Sequence, residues 1–103
     1  MYKYHQRCEV LYGHFAEFLA TIDQCNAIAR ERGWVEFTPW TPTGGKINQI
    51  VLVSDYPDSA TFEREQEASE ADPEFMKAWR RGSEFLVQGS MQEETLRPSP
   101  HLA

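Results

Sequence analysis

Hydrophobic and polar positions alternate at the start of the chain. Over residues 2–11, Tyr4, Gln6, Cys8 and Val10 fall on one side; Lys3, His5, Arg7, Glu9 and Leu11 fall on the other. A period of two predicts a strand, here with neither face purely apolar. Gly13 breaks the pattern. Phe15, Phe18, Leu19, Ile22, Cys25, Ile28 and Ala29 then recur every three or four residues, predicting an amphipathic helix over 14–32. Arg30 and Arg32 suit the negative end of its dipole, and Gly33 supplies a C-cap.

Residues 34–40 are aromatic and β-branched and predict a second strand, on an edge or ending at Pro39, which has no amide hydrogen. The cluster 41–46 is a turn. Residues 47–54 are the most apolar run and predict a central strand, paired with 34–40 as a hairpin. Asp58 or Ser59 can cap a helix over 59–70, whose Glu63, Glu65, Glu67 and Glu70 read as a solvated face. Asp72 and Pro73 signal a third helix, over 73–86, with Phe75, Met76, Trp79 and Leu86 inward. Residues 87–96 alternate in part and predict a last strand.

Strand, helix, two strands, two helices and a strand fit one antiparallel four-stranded sheet with helices on one face. That is a ferredoxin-like α+β fold. The uncovered face must meet water or a partner. Tyr2, Tyr4, Trp34 and Trp40 are many rings for a monomer's surface, so a homodimeric barrel of two such sheets is the expected assembly.

Length then sets the scale. The 103 residues make one domain, expected over 1–97, with 98–103 as a tail. Aromatic content of 13% is enough for a core and excludes a disordered chain. No apolar run spans a membrane. A net charge of −6 argues against nucleic acid. The polar start predicts no signal peptide and a cytoplasmic location. There Cys8 and Cys25 are expected to be small buried hydrophobes.

Several residues together resemble the dimeric α/β-barrel superfamily, and within it NIPSNAP-type proteins. They are Tyr12-Gly13 before Phe15-x-x-Phe18-Leu19, Trp40 ahead of Gly44-Gly45, Asn48-Gln49-Ile50-Val51, Tyr56, and Asp72-Pro73-Glu74-Phe75. The resemblance covers about residues 2–96. The superfamily includes antibiotic-biosynthesis monooxygenases and polyketide cyclases. The resemblance therefore implies a homodimer that binds a hydrophobic or aromatic small molecule. As an enzyme it would be a cofactor-independent monooxygenase or cyclase of natural-product biosynthesis. The alternative is a non-catalytic NIPSNAP-like binding or assembly module.

His5, Arg7 and Glu9 share one strand face at period two. A base, a cation and a carboxylate so spaced suit proton abstraction and anion stabilisation, and equally suit cross-strand charge pairs. Trp34, Phe37, Trp40 and Trp79 could line a ligand pocket or pack core and interface. Asn48, in an apolar strand, would orient a ligand carbonyl or tie down a loop. His14 reads as a surface or loop contact, and His101 lies in the tail. The histidine spacing suits no metal, and no cofactor is expected. Haem ligation by His5 or His14 is a remote third reading.

Overall fold

Strand β1, Tyr2–Glu9, is paired on both sides, and this central position makes one of its faces the floor of the core. The computed structural model describes residues 1–100; His101 and the rest of the expected tail lie outside the described residues. After β1 come α1 (Phe15–Arg32), β2 (Thr38–Trp40), β3 (Gln49–Tyr56), α2 (Ser59–Glu70), α3 (Pro73–Ser83) and β4 (Gln92–Leu96). The sheet order is β2-β3-β1-β4 with every pairing antiparallel. This is the ferredoxin-like α+β arrangement that the element order predicts.

The even-numbered positions of β1 face the helices. Cys8, Val10, Ile50 and Leu52 meet Phe18 and Ile22 of α1 in one cluster, all fully buried or nearly so. Cys25, Ile28, Phe75 and Ala78 form a second cluster between α1 and α3. Both cysteines are free, and burial pushes each thiol up to about 11. They are packing residues rather than nucleophiles.

Three elements are shorter than the pattern suggests. The strand expected at 34–40 forms only at 38–40, because side chains take its earlier amides. Val35 donates to Glu65 Oε1 at 2.7 Å, and Phe37 donates to Asn26 Oδ1 at 2.8 Å while its carbonyl accepts from Asn26 Nδ2 at 2.9 Å. Helix α3 ends at Ser83 in tight i→i+3 bonds from Phe85 to Gly82 and from Leu86 to Ser83. The last strand begins at Gln92, because a turn over 87–90, with Gly89 at φ 78°, interrupts the run. The expected central strand 47–54 runs instead over 49–56.

Helix starts follow their caps. Asp58 accepts from the Thr61 amide at 2.7 Å, and Asp72 accepts from Glu74 and Phe75 at 3.0 and 3.1 Å. Gly33 closes α1 at φ 74°. No helix among the described residues is long and apolar enough to cross a membrane.

Candidate functional site

Alternation along β1 sends Tyr4 and Gln6 under the helices, and antiparallel register sets Glu93 of β4 beside Gln6. Above them α2 supplies Gln66, Ser69 and Glu70, and α3 supplies Phe75, Met76 and Trp79. Phe37 and Met91 complete a cavity of about 160 Å³. Trp79 and Met91 also wall a neighbouring groove of about 510 Å³ that runs along Ser83 to Gly89.

The aromatic wall is held from behind. Phe37 stacks on Trp79 at 5.8 Å between centroids, and Trp34 meets Phe75 edge-on at 5.8 Å. The double hydrogen bond from Asn26 fixes the Phe37 backbone, so α1 positions a ring of the cavity without touching it. At the other end Phe62 of α2 packs among Tyr2, Tyr4 and Tyr56.

The floor is polar. Gln6 is 5% exposed; its Nε2 reaches Met91 Sδ at 3.9 Å, and its Oε1 has no partner. Sulfur accepts but does not donate here, so the amide nitrogen belongs on the Met91 side. A buried carbonyl without a donor is costly, and such groups call for an occupant. Tyr4 hydrogen-bonds to Glu93 and Gln66. Burial, and then the Glu93 carboxylate, hold its phenol well above the usual tyrosine range, so Tyr4 stays protonated. Glu70 and Glu93 are the charged residues that line the cavity; no lysine, arginine or histidine does.

The expected site residues divide between the two sheet faces. Phe37 and Trp79 line the cavity. Trp34 stands behind Phe75, and Asn48 donates to the Val10 carbonyl at 3.2 Å, tying the β3 entry to the end of β1. His5, Arg7 and Glu9 stand on the outer face. His5 Nδ1 lies 3.4 Å from Glu94 Oε1, Arg7 is exposed, and Glu9 accepts from Lys46 Nζ at 2.9 Å. His5, Arg7, Gln92 and Glu94 surround a shallow hollow of about 260 Å³ there. Trp40 is on the same face, 60% exposed, in register with Val51 and so with Arg7. His14 pairs with Glu17 at 2.6 Å and stacks on Phe85.

Sequence reasoning missed Tyr4, Gln6, Gln66 and Glu93. Gln6 carried a usable signal, an amide between Tyr4 and Cys8 on the face that buries Cys8 and Val10. Among the described residues no three histidine, cysteine or acidic side chains are grouped to hold a metal.

Comparison with known proteins places this geometry. None of the curated proteins matches the chain. A NIPSNAP domain protein from Burkholderia xenovorans has a similar structure: TM-score 0.76 at 22% identity, over 97% of this chain and 96% of that one. An antibiotic biosynthesis monooxygenase superposes with TM-score 0.72 at 11% identity, over 97% of this chain and 100% of that one. SnoaB from Streptomyces nogalater, a cofactor-independent oxygenase, gives TM-score 0.69 at 21% identity, over 94% and 91%. At these identities the structures speak for a common fold. The NIPSNAP family profile matches residues 10–102, nearly the whole chain, and the protein belongs to the NIPSNAP family.

Proposed function

We propose that the chain is a homodimeric α/β-barrel protein that takes a small hydrophobic or aromatic molecule into the cavity between sheet and helices. The observation that carries this reading is Gln6, a buried amide with an unpartnered carbonyl beneath an aromatic wall. An engineered apolar cavity of about 150 Å³ holds benzene, so one ring with a short substituent is the fitting size. The second copy covers the outer sheet face. Free buried thiols agree with a reducing, cytoplasmic setting.

A catalytic reading borrows from SnoaB and the antibiotic biosynthesis monooxygenase. Oxygenation without a cofactor starts by removing a proton from the substrate. The carboxylate at the cavity is Glu93, beside Tyr4. His5, Arg7 and Glu9 serve that chemistry only in a space between the outer face and the second copy. The binding or assembly module without chemistry keeps the same cavity and the same dimer.

Gln6→Leu tests the binding reading. The change removes an unsatisfied buried carbonyl, so the variant gains about 1 kcal/mol in urea denaturation. It also fills the floor, so an indole probe that shifts the Trp79 ring in the wild type leaves the variant's spectrum unchanged. If Gln6→Leu is destabilised, or indole leaves Trp79 unmoved in the wild type, the cavity is not a ligand site.

A further inference from the structure

The charge of the cavity points to a narrower ligand class. Its lining holds two carboxylates, Glu70 and Glu93, and no cationic side chain. Neither carboxylate forms an ion pair among the described residues. This stands out in a protein whose other acids are repeatedly paired, as Glu9, Glu36, Asp55 and Asp72 are. The second, independent observation is Gln6. Its side chain is buried, its Oε1 lines the same cavity, and that atom accepts from nothing. All three groups ask for a hydrogen-bond donor, and two ask for positive charge. Around them Phe37, Phe75 and Trp79 present ring surfaces, which attract a cation as well as a second ring.

We propose that the cavity ligand is a small protonated amine carrying one aromatic ring. The ammonium group sits between Glu70 and Glu93 and donates to Gln6 Oε1, while the ring packs on Phe37 and Trp79. An acidic phenolate or carboxylate is disfavoured, because it would bring a third negative charge to a partly dry space. This inference rests on the cavity being the ligand site.

The test is a titration of the full chain, followed by ¹H–¹⁵N NMR, with three probes of matched size. These are 2-phenylethylamine, 2-phenylethanol and 3-phenylpropanoate. The amine is expected to bind tightest and to shift the Gln6 side-chain amide and the Trp79 indole. Glu93→Gln and Glu70→Gln, both at exposed residues that the fold does not need, each weaken amine binding by about fivefold or more, the effect of a partly screened charge pair. Glu63→Gln, on the outer side of α2, changes it by less than about twofold, which separates a site from general attraction to an acidic protein. If the alcohol or the carboxylate shifts Gln6 and Trp79 at least as tightly as the amine, the amine class is overturned and the cavity reading stands. If the amine binds the Glu93→Gln and Glu70→Gln variants as well as the wild type, the class is likewise overturned. If no probe moves Gln6 or Trp79, both readings fall.

Discussion

A glycine inside a helix normally weakens it, yet Gly82 lies inside the last turn of α3 and is buried. A Cβ at this position would meet Thr21 Oγ1 at 2.6 Å and Thr21 Cβ at 3.3 Å. Thr21 has little room to yield: it is 4% exposed, and its hydroxyl donates to the Phe18 carbonyl at 2.6 Å. Gly82 is therefore the point at which α3 closes on α1. Gly82→Ala gains about 1 kcal/mol of helix propensity and loses about 1–3 kcal/mol to overpacking. The expected outcome in urea denaturation is a net loss of about 1 kcal/mol, since the contact is with a β-branched side chain already committed to a hydrogen bond. Thr21→Ala removes the obstructing atoms, so Gly82→Ala should become neutral or stabilising in that background. Such coupling is the signature of two residues in contact. Equal effects of Gly82→Ala in both backgrounds would show that the two helices do not meet here. In the sequence Gly82 is only a weak point in a helical run, because nothing along the chain says that Thr21 will lie against it.

The junction of α1 and α3 depends on a charge that the sequence does announce. Asp72 before Pro73 predicts a helix start, and α3 begins there. What the sequence leaves out is Arg32, forty residues earlier. Its Nε donates to Asp72 Oδ2 at 3.0 Å and its terminal nitrogen to Glu74 Oε2 at 3.1 Å. The C-terminus of one helix is thus tied to the N-terminus of another, and each end prefers the charge it receives. The Phe75 amide first, and Arg32 beside it, hold the Asp72 carboxyl below the usual aspartate range. The Thr61 hydrogen bonds do the same for Asp58 at the start of α2. A carboxyl whose folded value is depressed contributes stability that is present above its unfolded value. That contribution is lost as pH falls through the unfolded value toward the folded one. Melting temperature should therefore drop as pH falls below about 5, and Asp72→Asn should reduce that drop, because Asn caps a helix without titrating. Asp58→Asn combined with it should flatten the profile further. Parallel melting profiles for the wild type and both variants between pH 6 and pH 3, a window on the order of three units about the carboxylate range, would mean that these caps do not govern acid sensitivity.

At the scale of the whole molecule the fold was legible and the site was not, for one geometric reason. Alternation along β1 says which residues share a face, and it grouped Tyr4 with Gln6 and His5 with Arg7 correctly. It does not say which face the helices will cover when both carry polar residues. Fully apolar segments such as β3 escape the question, since either face can be buried. The mixed strand left Gln6 unnoticed and drew attention to His5, Arg7 and Glu9, which point away from the helices. That outer face now has its own composition. Val51 and Val53 are half-exposed at its centre, and Trp40 and Leu96 are 60% and 42% exposed toward its two edges. Ion pairs Lys3–Asp55, His5–Glu94 and Lys46–Glu9 stand around them. An apolar centre with paired charges around it is the anatomy of an interface, and two copies meeting through the same face would close the barrel. The expected outcome in light scattering is a species of twice 11.9 kDa at micromolar concentration. Trp40→Glu should weaken that association by about tenfold or more, since each 1.4 kcal/mol of lost burial is one decade. The folded monomer should survive the change, because Trp40 lies outside both core clusters. A wild-type protein that remains monomeric at NMR concentrations would remove the homodimer, and with it any role for His5 or Arg7 in a shared enclosed space. The cavity over Gln6, built wholly within one copy, would be untouched by that result.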